Sequence, residues 1–485
     1  MTDYEAERGA FVWERPARYN FVREVVDDIA AQHPDRLALW CVDDHGNEHR
    51  YTFADVAALS RRLGNVLIGA GVGPQDTVVV MLPRVPEWWF TLTALLRIGA
   101  VAAPGTVQLS SRDLAYRVNA ARASCVVTDA ANAAKVEEND VECPTLRARI
   151  LIDGARDGWI DLGAAIECAD EVCECRDTAA DDDALCYFTS GTTGYPKMCI
   201  HTHSYAMGHR ATGRYWLDLT PSDLHWNISD TGWAKAAWSS YFGPWSCGAA
   251  VFVHSAGGFD PARTLDLLSR YPISTLCGAP TVYRMLVLQS LERYRFHRLR
   301  HAVSAGEPLN PEVIEIWRRA TGITIRDGYG QTETVLLCGS FPCLPAKPGS
   351  MGRPAPGIEL AVIDDAGNEV PTDVEGDIAL RVRPEPPQGL FREYRGEPGK
   401  TAATRRGDWY VTGDRARVDA DGYFWFVSRA DDVILSAGYR IGPFEVESAL
   451  IEHPAVAESA VIAAPDETRG EVVKAFVVLV PGVEP

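Results

Sequence analysis

The chain has 485 residues, 46% of them hydrophobic and 23% charged, an average globular balance over a length that exceeds one ordinary core. Its 47 Lys and Arg stand against 66 Asp and Glu, a formal net charge of −19. That balance argues against non-specific binding to nucleic acid or an anionic membrane. A local phosphate site remains open, because it needs only backbone N–H groups and one or two cations.

No run reaches the roughly 18 consecutive apolar residues of a membrane-spanning helix. The acidic start, Met1 to Glu7, is unlike a basic signal or transit peptide. The 12 cysteines, scattered from Cys41 to Cys343, include no CxxC pair. Cys168, Cys173 and Cys175 cluster, but no matching His or Cys pair follows at zinc spacing. Reduced cysteines in a cytoplasmic enzyme are the expectation.

In chain order, short β-branched runs alternate with longer helical patterns, the signature of parallel α/β sheets. Residues 77–82 read as a buried strand. Residues 86–98 read as a helix, with Pro86 in its first turn and Gly99 just past its end. Further strands are expected at 124–128, 150–153, 249–254, 274–277 and 323–325, with helices at 261–269 and 311–320. The acidic run Asp181 to Asp183 reads as a solvated linker. From Gly349 the texture changes to short strands at 359–364, 376–382 and 422–427, separated by Asp/Gly/Asn turns. The end gives a helix at 443–453 and strands at 456–463 and 472–480.

The run Thr189, Ser190, Gly191, Thr192, Thr193, Gly194, Tyr195, Pro196, Lys197 follows an apolar strand-like stretch. Its N–H and O–H groups can surround phosphate oxygens, its glycines allow close backbone approach, and Lys197 supplies a cation. It is not the P-loop of the NTPases, because Tyr195 and Pro196 separate glycine from lysine.

This string resembles the signature loop of the adenylate-forming enzymes, the superfamily of acyl-CoA synthetases, adenylation domains and firefly luciferase. Further segments match in order: 303–309, 327–333, 410–414, 428–432 and 436–440. The details at 229–235, 347–352 and 438–445 are most like the medium-chain acyl-CoA synthetase branch. The resemblance covers essentially the whole chain. It implies a large N-terminal domain of parallel α/β sheets over 1–345, a small β-rich subdomain over 346–429, and a small mobile α+β C-terminal domain over 430–485.

The implied reaction joins a carboxylic acid, a medium-chain fatty or aryl acid, to the α-phosphate of ATP with release of pyrophosphate. The acyl group then passes from AMP to the thiol of coenzyme A. By resemblance, Thr189 to Lys197 wraps the β- and γ-phosphates, with Thr189, Lys197 and Glu333 carrying the chemistry and Glu333 holding Mg²⁺. Glu307, Asp327, Gly328, Tyr329, Gly330, Gln331 and Thr332 complete the nucleotide site. Tyr329 offers a flat face to the adenine, Asp414 accepts from the ribose hydroxyls, and Arg429 contacts the same ribose or phosphate. Trp233, Gly306 and Thr332 border the acid, and the aromatic cluster Trp238, Tyr241, Phe242 and Trp245 could line a tunnel for an apolar tail. Gly438, Tyr439 and Arg440 resemble the segment lining the pantetheine channel. Arg469 is a second candidate for the coenzyme A phosphates, and Asp431 matches the hinge. Cys199, His201 and His203 read as alternation on one strand rather than as a metal site.

One departure stands out. The family's Pro-Lys-x-x-Ser-Gly-Lys-like segment, with the lysine used in adenylation, is absent, and the last lysine is Lys474 on an expected strand. A C-terminal domain truncated from a longer protein is the expectation, binding ATP and acyl-AMP better than it makes them. Two alternatives stand beside the leading reading: a loading domain that passes the acyl group to a carrier protein, and a nucleotide binder impaired in turnover. The particular acid and the oligomeric state are not legible.

Overall fold

The computed structural model describes residues 1–138, 143–189, 195–430, 432, 434–436, 439–451, 453, 455–466, 469–480 and 482. Ser190, Gly191, Thr192, Thr193, Gly194, Asp431 and Gly438 lie outside the described residues, as do the side chains of Tyr439 and Arg440.

Among the described residues the strands form sheets of nine, eight, five and four. The nine-stranded sheet has a parallel centre in the order Ile325–Tyr329, His301–Ala305, Thr275–Gly278, Leu224–Ile228, Ala250–Ser255 and Leu37–Asp43. The eight-stranded sheet is parallel through Asp183–Thr189, Val101–Pro104, Thr77–Met81, Cys125–Thr128 and Ala148–Leu151. A strand covered on both faces must be apolar throughout, because its side chains alternate between faces. Thr77–Met81 shows this directly: Val78 and Val80 enter the core shared with the other large sheet, while Val79 and Met81 enter a separate core on the opposite face. The shared core also takes the buried side of helix Phe53–Gly69 and nearly all of helix Pro86–Ile98. The latter begins with proline at its first turn and ends on Gly99 at φ 73°, as its sequence predicts.

Two expectations need correction. The strand expected at 323–325 runs instead over Ile325–Tyr329, because it pairs in register with Ala302 to Ala305 and is carried on by that neighbour rather than by β-branched residues. The acidic run at 181–183 is not a solvated linker throughout. Asp183 is buried, opens a central strand, and is neutralised by Arg392 at 3.2 Å and by Arg395. A carboxylate can enter a sheet when two guanidinium groups meet it.

The five-stranded sheet is antiparallel, with Gly376–Arg381 and Trp409–Val418 at its centre and Phe424–Arg429 on the flank of the latter. Two short strands from the same stretch of chain return to the large sheets: Arg353–Pro354 closes one edge of the nine-stranded sheet, and Glu393–Arg395 pairs with Lys197–Thr202. The last sheet joins Tyr439–Ile441, Ile434–Ser436, Gly470–Leu479 and Val456–Asp466, with helix Pro443–Ile451 beside its long hairpin. Lys474 sits exposed on that hairpin.

Candidate active site

Ligands of parallel α/β sheets bind outside the carboxyl ends of the strands, where backbone N–H groups and loop side chains converge. Such a cleft, of about 810 Å³, is present here. Its floor is built from the carboxyl ends of neighbouring parallel strands: Ile228 to Asp230, Ala279, Ala305 to Pro308, and Asp327 to Gly330. Thr189 and Lys197 enter from the eight-stranded sheet, while Thr412, Asp414, Phe426 and Arg429 enter from the five-stranded one. Of the expected site residues, Thr189, Lys197, Trp233, Gly306, Glu307, Asp327, Gly328, Tyr329, Gly330, Gln331, Thr332, Glu333, Asp414 and Arg429 all line this one cleft.

The phosphate-loop ends meet because Thr189 and Lys197 are directly paired across adjacent antiparallel strands. The Thr189 hydroxyl is buried with no partner among the described residues. The Lys197 ammonium lies 4.1 Å from the Tyr394 ring centroid, and the Tyr394 hydroxyl donates to Glu333 Oε1 at 2.6 Å. Glu333 is itself buried. Burial, with the Glu333 charge beside it, keeps the Tyr394 phenol protonated. Tyr195 and Pro196 do not line the cleft: Tyr195 is exposed and stacks on Tyr116 at 4.5 Å, and the Pro196 carbonyl accepts from the Tyr116 hydroxyl.

At the other end, Asp414 Oδ2 accepts from the Tyr329 hydroxyl at 2.5 Å and from Gln331 Nε2 at 2.7 Å. The Tyr410 hydroxyl in turn donates to Gln331 Oε1 at 3.0 Å. Burial raises the Asp414 carboxyl above its ordinary range, and these donors act against it. Arg429 forms an ion pair with Asp432 at 3.9 Å. On the floor, burial pushes Asp327 up to about 8, although its Oδ1 accepts from the Gly328 N–H at 2.9 Å. Glu307 is held by Arg284 at 2.9 Å. Gly306 sits at φ 110°, a backbone conformation that side chains rarely permit, and faces open space.

Trp233 is 57% exposed at the mouth, and Trp238 lines the cleft wall. The rest of the aromatic cluster is core rather than tunnel. Tyr241 bonds Thr93 at 2.8 Å, Trp245 Nε1 donates to the Ala38 carbonyl, and Phe242 packs on Phe21. His201 Nε2 contacts the Thr332 carbonyl at 2.7 Å, and burial lowers its pKa to about 4. Among the described residues no group of three or more His, Cys, Asp or Glu side chains could hold a metal. Arg469 lies exposed at the turn of the C-terminal hairpin, outside the cleft.

Sequence reasoning gave no site role to Tyr394, nor to Lys235, Tyr410 and Thr412, although these three fall within the matched segments 229–235 and 410–414. Lys235 was within reach, two residues from Trp233. Tyr394 had no local signal, because it reaches Glu333 only through the pairing of its strand with Cys199.

The AMP-binding enzyme family model matches residues 26–394, and the AMP-binding enzyme C-terminal domain matches residues 445–485. The chain belongs to the AMP-binding enzyme family. Its relatives include the mitochondrial acyl-coenzyme A synthetase ACSM3 of Mus musculus, 49% identical over 489 residues, with 99% of this chain and 84% of that protein covered. The mitochondrial acyl-coenzyme A synthetase ACSM4 of Homo sapiens is 50% identical over 472 residues, covering 96% and 81%. Among solved structures, the Brucella canis acyl-CoA synthetase matches with a TM-score of 0.84 at 34% identity, over 100% of this chain and 90% of that one. The anthranilate CoA ligase AuaEII, in complex with anthranoyl-AMP, matches with a TM-score of 0.90 at 29% identity, over 97% and 89%. The cytoplasmic expectation is overturned by the relatives, which are described as mitochondrial. Free cysteines separate a reducing compartment from an oxidising one, and say nothing about which reducing compartment it is.

Proposed function

We propose that this enzyme activates a carboxylic acid with ATP and transfers the acyl group to coenzyme A. A carboxylate oxygen attacks the α-phosphorus, the bond to pyrophosphate breaks, and acyl-AMP forms. The coenzyme A sulfur, having lost its proton, then attacks the acyl carbon, and the bond to AMP breaks. The reading is carried by one observation: a hydroxyl–lysine pair, a buried carboxylate and a Tyr–Asp pair line a single cleft at strand carboxyl ends. The relatives are coenzyme A synthetases, which favours free coenzyme A over a carrier protein as the acceptor.

In this reading Thr189 and Lys197 hold the β- and γ-phosphates. Tyr329 lies against adenine, and Asp414 accepts from the ribose hydroxyls with Arg429 beside it. Trp233, Gly306 and Thr332 border the acid. The first step must bring two anions together, so positioning and local positive charge carry most of the catalysis.

The donor set also fits Mg²⁺. Glu333 offers a buried carboxylate with Oε2 free of protein donors among the described residues, and the unpartnered Thr189 hydroxyl lines the same cleft. A hard cation prefers such oxygens together with phosphate oxygens. When bound, Mg²⁺ would neutralise charge on the departing pyrophosphate. Gly438, Tyr439, Arg440 and Arg469 are assigned to coenzyme A and Asp431 to the hinge, on resemblance.

The test is acid-dependent ATP–pyrophosphate exchange over a panel of fatty and aryl acids, followed by thioester formation on adding coenzyme A. Exchange and thioester with one acid class is the expected result. No exchange with any acid in a chain that also carries the family's lysine segment, while nucleotide still binds, would remove the reading.

A further inference from the structure

Three cations line the cleft among its described residues: Lys197, Lys235 and Arg429. Lys197 lies over Tyr394 beside Glu333, and Arg429 flanks Asp414. Lys235 lines the same cleft as the apolar residues Ile228, Trp233, Ala234, Trp238 and Ala279, and its ammonium is held at the strand end by Ala305.

An ammonium carries three donors. Lys235 Nζ donates one to the Ala305 carbonyl at 2.5 Å. No carboxylate among the described residues lies within ion-pair distance of it. The two carboxyl groups that act on it electrostatically are already engaged: Glu307 pairs with Arg284, and Asp327 is bound by the Gly328 N–H. A cation taken out of water is stable only when an anion or a full set of acceptors meets it. The protein supplies one carbonyl, which leaves two donors for what fills the cleft.

The position says what that is. The carbonyl that Lys235 holds belongs to the residue before Gly306, whose positive φ opens the floor to the cleft. Apolar lining together with a part-buried cation that pairs with no carboxylate among the described residues suits a molecule with an apolar body and an anionic head. We infer that Lys235 binds the carboxylate of the acid substrate, holding it beside Gly306 and offsetting its repulsion from the nucleotide phosphates. This rests on the acyl-CoA synthetase reading and adds a residue to it.

The experiment separates charge recognition from structural support. The acid that supports exchange is paired with its primary amide (octanoate with octanamide, or benzoate with benzamide). The KM of the acid and the inhibition constant of the amide are measured in wild-type protein, Lys235→Met and Lys235→Gln. The glutamine variant can still donate to the Ala305 carbonyl, so it serves if the methionine variant fails to fold. Both variants should raise the acid's KM by about ten- to a hundredfold, the usual worth of a charge-assisted hydrogen bond. The amide's inhibition constant and the KM for ATP should stay within about twofold. Equal loss for acid and amide would make Lys235 a packing residue and overturn the inference, as would no change for either. A loss confined to acids with a second polar group would move the ammonium to the far end of the substrate and overturn it too. Absence of exchange in a wild-type chain that carries the family's lysine segment is a different result, and tells against the underlying reaction.

Discussion

The Tyr329 hydroxyl donates to Asp414 Oδ2 at 2.5 Å, joining the last parallel strand of the nine-stranded sheet to the central strand of the five-stranded one. The bond sets the orientation of the carboxylate before any ligand arrives, and Gln331 supports the same oxygen at 2.7 Å. An oriented acceptor loses less freedom on binding than a loose one.

Tyr329→Phe removes that donor while keeping the ring. The KM for ATP should rise by about tenfold, the usual worth of a hydrogen bond to a charged group, with the acid's KM nearly unchanged. Asp414→Ala should weaken ATP binding further. Steady-state kinetics with each substrate varied in turn provides the check, and an unaltered ATP constant in Asp414→Ala would remove the ribose role.

Lys197→Ala and Glu333→Ala should each lower pyrophosphate exchange by about a hundredfold or more: the first removes the cation proposed to meet the phosphates, and the second removes the carboxylate proposed to hold Mg²⁺ beside them. Their circular dichroism spectra should match the wild type. Tyr394→Phe is the subtler probe. It keeps the ring under Lys197 and deletes only the 2.6 Å bond to Glu333, so the Mg²⁺ concentration for half-maximal exchange should shift. Rates near wild type in the alanine variants would take both residues out of the site.

Gly232 is a packing requirement. A Cβ built there would stand 2.1 Å from the Thr106 backbone nitrogen, and Asp230 ties the same corner by accepting from the Gly232 N–H and from Thr106 Oγ1. Gly232→Ala should cost about 1–3 kcal/mol by overpacking. It should also displace Trp233 and raise the acid's KM. A urea titration together with acid-dependent kinetics tests both parts, and a stability equal to wild type would show that the Gly105 to Thr106 loop yields freely.

Stability should fall in acid. Burial lowers the pKa of His201 and His203 from 6.5 to about 4 and that of His225 to about 3. As pH drops below about 6.5 the unfolded chain takes up protons that the folded chain refuses, so the folded state loses ground down to about pH 4 and, for His225, lower still. The urea midpoint should be lower at about pH 5 than at about pH 7.5. Equal midpoints would mean that these imidazoles gain compensating partners on protonation.

The sequence by itself determined the element types, the two-face burial of strands such as Thr77–Met81, the caps of helix Pro86–Ile98 and the residue types of the phosphate loop. These are local properties: periodicity, capping chemistry and loop composition are written in consecutive residues. Motif resemblance carried the functional class further than periodicity could, since it named Thr189, Lys197, Tyr329, Glu333 and Asp414 as one site before any contact among them was visible. Only the tertiary structure decided the rest. It showed that Asp183 is a buried paired carboxylate, that Tyr241, Phe242 and Trp245 are core, and that Tyr394 and Lys235 belong to the cleft. The reason is physical. A side chain's charge state and role depend on what it meets after the chain has closed, and Tyr394 meets Glu333 although the two stand 61 positions apart in the sequence.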